Sequence, residues 1–112
     1  MDGICRDPNC QIFVLERANG KMGGVVEIAT RPYAEDYHSS PVGYIEGWYV
    51  DEDLRQQGCG ARLIRAVENW ARSRGCTEMA SDCELDNLTS HLAHSAIGYE
   101  ETNRLIHFCK EV

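Results

Sequence analysis

The sequence predicts an α/β (α+β) fold, a mixed and mostly antiparallel sheet with a β–α–β unit at its centre. Three observations carry this. Two β-rich runs flank Asn19-Gly20, the apolar period changes from strand-like to helical after Gly60, and a further strand and helix follow. At 112 residues the chain is expected to form a single domain spanning 1–112.

Ile12–Glu16 and Val25–Thr30 are rich in apolar and β-branched residues, and the Asn-Gly pair between them signals a hairpin turn. Residues 31–41, "RPYAEDYHSSP", read as a polar loop. Val42–Val50 reads as a third strand, whose Gly43 and Gly47 imply a bulge or a close backbone approach. From Gly60, the residues Leu63, Ile64, Val67, Trp70 and Ala71 fall on one helical face, and Gly75 is placed to end the helix near Arg74. Cys76–Asp82 reads as a short fourth strand. Asp86 is expected to cap a second helix that turns Leu88, Leu92, Ala96 and Ile97 inward and closes at Gly98. His107–Val112 reads as a last strand, with Tyr99–Thr102 as a further candidate.

Composition narrows the function. The apolar fraction of 43% and charged fraction of 26% are those of a soluble globular protein. The net charge of −7 argues against a nucleic-acid partner, because phosphate contacts need clustered Lys and Arg. No apolar run approaches the ~20 residues of a membrane span, and the start "MDGICRDPNC" has no signal-peptide pattern, so no membrane association and a cytoplasmic location are expected. The six cysteines show no CxxC spacing and no histidine pair completes a zinc pattern, so neither a disulfide nor a metal is expected.

The chemistry concentrates in "WYVDEDLRQQGCGARLI", residues 48–64. A helix start offers unpaired N–H groups and the positive end of the helix dipole, and glycines there let phosphate oxygens approach. A pyrophosphate cradle and a tight β–α turn needing positive φ both account for Gly58 and Gly60. Neither GxGxxG nor GxxxxGK[ST] is present. What is present is Arg-x-x-Gly-x-Gly between a strand and an amphipathic helix, which resembles the acetyl-coenzyme A signature of the GCN5-related N-acetyltransferases (GNAT). The segments "SSPVGYIEGWYV", "VENWA", "CTEMASDCELDNLTSH" and "IGYEET" are similar to aminoglycoside 6′-N-acetyltransferases, and the likeness runs from about residue 25 to the end.

The resemblance implies a truncated GNAT fold whose β–α–β unit binds acetyl-CoA, with no metal. It implies that Trp48, Tyr49 and Val50 seat the thioester and pantetheine arm, an N–H near Val50 stabilising the oxyanion. Arg55, Gln56, Gln57, Gly58, Cys59, Gly60 and Ala61 would hold the pyrophosphate, and Asn87 would contact the coenzyme arm. Glu46 and Asp82 would hold a small cationic amine, an aminoglycoside, and accept its proton. His94 occupies the place of the Tyr that protonates the leaving thiolate in many relatives. Tyr33, with Tyr37 as second choice, and Asn103 would complete the acceptor side. Each has an ordinary alternative: strand packing for Trp48 and Tyr49, a solvated Arg55, a helix-start Asn87, a surface or capping His94, and salt bridges to a local Arg for the carboxylates.

The family carries a strand and two helices before the first hairpin, whereas about ten residues precede Ile12 here. Their absence is expected to bare a sheet edge and face that a second subunit covers, giving a homodimer. Transfer to another small amine, or a coenzyme-binding or self-associating domain without catalysis, are the alternative functions.

Overall fold

The computed structural model describes residues 8–32 and 40–112. Its residues divide into two compact units, one reaching to Asp82 and the other comprising Cys83–Val112.

In the first unit, β1 (Cys10–Glu16), β2 (Met22–Arg31), β3 (Val42–Val50) and β4 (Met79–Ser81) form a sheet in that spatial order. The first three strands pair antiparallel and β4 joins β3 parallel. A 3-10 turn (Glu52–Leu54) and helix α1 (Cys59–Ser73) connect β3 to β4. The expected mixed sheet and central β–α–β unit are therefore present. The Asn19-Gly20 hairpin forms as its residues demand: Gly20 takes φ +84°, and Asn19 Oδ1 accepts the Lys21 N–H at 2.9 Å.

Alternation along β2 sets the core. Val26 and Ile28 are fully buried, while their neighbours Val25, Glu27 and Ala29 are half-buried. α1 contributes the buried Leu63, Ile64, Val67 and Ala71, four of the five inward residues read from the sequence. Trp70 is half-buried, with the Arg74 guanidinium 5.1 Å from its ring centre. Gly43 is glycine because α1 comes close: a Cβ there would lie 3.1 Å from the Ala71 Cβ and 2.6 Å from the Met79 sulfur. Gly75 ends α1 at φ +86°.

The β2–β3 ladder is interrupted once. Glu27 faces Gly47 and Ile28 faces Ile45, so Glu46 is an extra residue on β3, a β-bulge. The bulge reverses the alternation. Before it, Gly43 faces α1; after it, Trp48 does, since a Cβ on Gly60 of α1 would lie 3.1 Å from the Trp48 ring.

The second unit departs from expectation. Its helix α2 (Leu88–Ala96) is capped by Asn87, not Asp86: Asn87 Oδ1 accepts the Ser90 N–H at 3.0 Å. None of its residues is buried, and Leu88 and Leu92, expected to point inward, are 68% and 72% exposed. Helical spacing aligns these leucines on one face but supplies nothing to cover it, and thirty residues make too small a core. Residues 99–112 contain no strand, so the two expected there do not form. A strand exists only through pairing, and this segment has no ladder; Ile106 and Phe108 are 75% and 90% exposed.

Cys10 is disulfide-bonded, against the expectation of free thiols, and its partner lies outside the described residues. CxxC spacing was the wrong criterion, because a disulfide needs only Cβ atoms brought within bonding distance. Cys59, Cys76, Cys83 and Cys109 are free.

Ile28→Ala should leave a cavity beneath α1 and cost about 3 kcal/mol, read as a lower urea midpoint at unchanged slope. A loss within error of zero would show that Ile28 is not a core position.

Candidate functional site

The site begins where β3 loses its neighbour. Parallel pairing with β4 ends at Ile45–Ser81, yet β3 continues to Val50. The Asp51 N–H bonds the Gly23 carbonyl at 2.8 Å, which makes positions 23 and 51 a hydrogen-bonded antiparallel pair. The alternation of such pairs makes Gly24 and Val50 a non-bonded pair, so the Val50 amide and carbonyl turn away from β2. The carbonyl meets Arg55, whose Nε donates to it at 2.9 Å. The Val50 N–H points into the opening beside β3, where no strand pairs among the described residues.

The loop after β3 leads to the start of α1. Gln56 and Gly58 take positive φ, +60° and +82°, so the tight-turn explanation for Gly58 holds. A Cβ on Gly58 would meet nothing within 4 Å, which leaves open space above the turn. Gly60 is glycine for another reason, the Trp48 ring against α1. No side chain caps α1 and its first turn holds no acidic residue. Helix geometry gives the N–H groups of Cys59, Gly60 and Ala61 no intrahelical acceptor. An uncapped helix start with open space above its turn fits an anion.

The loop is held from two sides. Leu54 packs over Gly23, where an added Cβ would lie 2.6 Å from its Cδ1. Arg17, at the end of the β1–β2 hairpin, donates to Asp51 at 2.9 Å and to both oxygens of Asp53 at 2.6 and 2.9 Å. Gln57 Nε2 donates to the Asp53 carbonyl at 2.8 Å, and the Arg55 guanidinium lies 5.7 Å from the Tyr49 ring centre.

The sheet face away from α1 carries the carboxylates. Arg31 binds Glu46 bidentately, Nη2 at 2.7 and 2.8 Å and Nε at 3.1 Å. The same guanidinium sits 3.5 Å from the Tyr44 ring centre. The Tyr44 hydroxyl donates to Asp82 Oδ2 at 2.6 Å. Glu46, Arg31, Tyr44 and Asp82 thus form one connected row across β2, β3 and the end of β4. For Glu46 the ordinary alternative, a salt bridge to a local Arg, is present in the structure. Arg31 and Tyr44 were not singled out from the sequence. Their shared face follows from the register Arg31–Val42 and Ala29–Tyr44, which the sequence does not state.

In the second unit, Asn87 is occupied in capping α2. His94 Nδ1 lies 2.8 Å from the Ser90 carbonyl, so it carries the proton and Nε2 is the basic nitrogen. Its ring meets Tyr99 edge-on, centroids 6.0 Å apart. Asn103 is exposed. Tyr33 and Tyr37 lie outside the described residues.

Burial first, then the bond to Asp82, pushes the Tyr44 hydroxyl up to about 12. The fold therefore favours the neutral phenol. Its contribution is complete below the unfolded value of about 10 and is lost as pH rises from there through the folded value. Tyr44→Phe should remove that share of the alkaline loss, so the stability gap between wild type and variant narrows above pH 10 in urea unfolding. An unchanging gap would separate Tyr44 from the alkaline transition.

The acetyltransferase (GNAT) family model matches residues 1–99. An aminoglycoside N(6′)-acetyltransferase type 1 from Klebsiella aerogenes is 43% identical over 99 residues, 88% of this chain and 65% of that protein. One of the same name from Stenotrophomonas maltophilia is 40% identical over 91% of this chain and 67% of its own length. The chain thus spans about two thirds of the length of these curated relatives. Among solved structures, AAC(6′)-Iy in complex with the bisubstrate analogue CoA-S-monomethyl-acetylneamine superposes with a TM-score of 0.87 at 36% identity, over 96% of this chain and 73% of that one. AAC(6′)-Ih from Acinetobacter baumannii gives 0.88 at 32% identity, over 96% and 74%. With the sheet, the uncapped glycine turn and these likenesses together, the chain belongs to the acetyltransferase (GNAT) family.

Proposed function

We propose that the chain is an acetyl-CoA-dependent N-acetyltransferase that acetylates the 6′-amine of an aminoglycoside and so confers resistance to the antibiotic. The observation that carries the reading is the opening beside β3. An outward-turned Val50 amide and an uncapped helix start lie along one side of the strand's continuation, and two carboxylates lie on its sheet. The names of the relatives and the bisubstrate complex of AAC(6′)-Iy support the choice of donor and acceptor.

In this reading the first-turn amides of α1, with Gln56 to Ala61, hold the pyrophosphate, and the strand backbone from Trp48 to Val50 holds the pantetheine arm. The Val50 N–H donates to the thioester oxygen and stabilises the charge that develops there. Asn87 contacts the arm, and Tyr33 and Asn103 contact the acceptor. Glu46 and Asp82 attract the cationic amine and accept its proton, directly or through water. The amine nitrogen then attacks the carbonyl carbon, the C–S bond breaks and the nitrogen sheds its second proton to water, while the thiolate takes a proton that His94 has picked up from solvent at Nε2, Nδ1 staying on the Ser90 carbonyl. Orientation of two bound substrates supplies much of the acceleration, with no covalent enzyme intermediate. Binding at Glu46 requires the amine to take over the oxygens that Arg31 occupies.

That ion pair also favours a second reading, a coenzyme-binding domain without turnover, because Glu46 already has its countercharge. Calorimetry with acetyl-CoA and thiol release over an aminoglycoside panel separate the two. The enzyme reading expects both binding and release; heat without release supports the second reading, and no heat removes both. Glu46→Gln and Asp82→Asn should raise the amine KM about tenfold or more, the scale of one lost charge-assisted hydrogen bond. Coenzyme affinity should stay within about twofold; its loss in both variants would reassign the carboxylates.

We also propose a cytoplasmic location and a homodimer, the dimer being supported by the exposed Leu88, Leu92, Ile106 and Phe108. Among the described residues no helix is long and apolar enough to cross a membrane. Light scattering on the eluting protein should give twice the chain mass; a stable monomer at micromolar concentration would refute the dimer.

A further inference from the structure

The loop entering the glycine turn carries the wrong charge for its proposed ligand. Asp51, Glu52 and Asp53 stand in a row on the chain that leads into it, Glu52 and Asp53 in the 3-10 turn before α1. Carboxylates this near in sequence to a pyrophosphate site oppose the ligand wherever they come within the screening length, about 8 Å at physiological salt. The first turn of α1, by contrast, holds no acid.

Arg17 answers this. Its guanidinium bonds Asp51 and both oxygens of Asp53 at 2.6–2.9 Å, across 34 and 36 residues of sequence. Its side chain is 26% exposed against 33% for Asp51 and 65% for Asp53, so the pair with Asp51 is the better shielded. The side-chain stem also runs over Gly23, where a Cβ would lie 3.2 Å from Arg17 Cγ. Both carboxylates raise the affinity of the guanidinium for its proton, chiefly through the hydrogen bonds, and Asp53 is correspondingly held below the usual carboxylate range. The contact then reaches the turn, because the Asp53 carbonyl accepts from the Gln57 side chain. Arg55 cannot take over this role where it stands, its Nε being on the Val50 carbonyl.

We infer that Arg17 is a positioning residue for the diphosphate-bearing donor: it neutralises Asp51 and Asp53 on the way into the glycine turn, and this charge compensation, more than its hold on the loop, is what the donor's affinity requires. The inference rests on the proposed coenzyme site and deepens it. It makes affinity for the pyrophosphate part of the donor depend on a residue some forty positions before the turn, outside the glycine motif.

The test is the dissociation constant of coenzyme A and of its phosphate-free fragment pantetheine, for wild type, Arg17→Ala and the triple variant Arg17→Ala/Asp51→Asn/Asp53→Asn. Arg17→Ala should weaken coenzyme A roughly tenfold at low salt, less at high salt, and leave pantetheine within about twofold. The triple variant should regain wild-type affinity within about threefold, because the repelling charges go with the cation. Equal weakening of both ligands, or a triple variant as weak as the single one, would overturn the inference in favour of a purely structural clamp. If Arg17→Ala does not fold, the triple variant against wild type decides it: coenzyme A affinity within about threefold supports the inference, and a deficit of tenfold or more contradicts it. Wild-type protein that binds pantetheine and coenzyme A equally, or neither, would overturn the site itself.

Discussion

One irregularity organises the first unit: β3 carries an extra residue at Glu46, and its parallel pairing with β4 ends beside it. A regular ladder would keep Gly47 and Tyr49 on the α1 face and leave Trp48 outside. The bulge puts Trp48 against α1, where Gly60 makes room for it, and leaves Glu46 on the face of Tyr44. A main-chain amide facing an opening is costly unless something polar fills it. The end of β3 therefore carries a main-chain donor that no strand among the described residues pairs, and the proposed function gives it to the thioester.

The elements around this opening share tasks. α1 buries Leu63, Ile64, Val67 and Ala71 on the sheet, and that packing fixes where its uncapped start points. The loop before it is held by Leu54 over Gly23 and by the Arg17 clamp. On the other face, Arg31 satisfies Glu46, and Tyr44 satisfies Asp82. This row joins two carboxylates to one cation, and its single ion pair, Arg31–Glu46, is on the scale of exposed pairs, about 0–1 kcal/mol. Such modest pairing is what a site needs if a substrate cation is to displace a protein cation.

The strands and the α-helix of the first unit were legible because their signals are local. Alternation at Val26 and Ile28, the Asn19-Gly20 turn, the α1 stripe and the glycines at 43 and 47 each report their own surroundings. Glu46, Val50, the glycine turn and Asp82 were legible as motif positions. Arg31, Tyr44 and Arg17 were not, because their roles come from register and from contacts across 15 to 38 residues. The second unit was read least well. The leucines of α2 and the apolar residues from Leu105 to Val112 gave the patterns of buried elements, but a pattern names the face and not its cover. The capping residue was displaced by one, since Asp and Asn stand side by side at the helix start and only the backbone selects between them.

Backbone amide shifts during a titration with acetyl-CoA test the central claim most directly. The account predicts that the Val50 amide and the first-turn amides of Cys59, Gly60 and Ala61 shift together, with the same midpoint, while amides of β1 stay unchanged. A coenzyme that binds without moving the Val50 amide, or that moves the β1 amides instead, would contradict the claim that the opening beside β3 is the donor's seat.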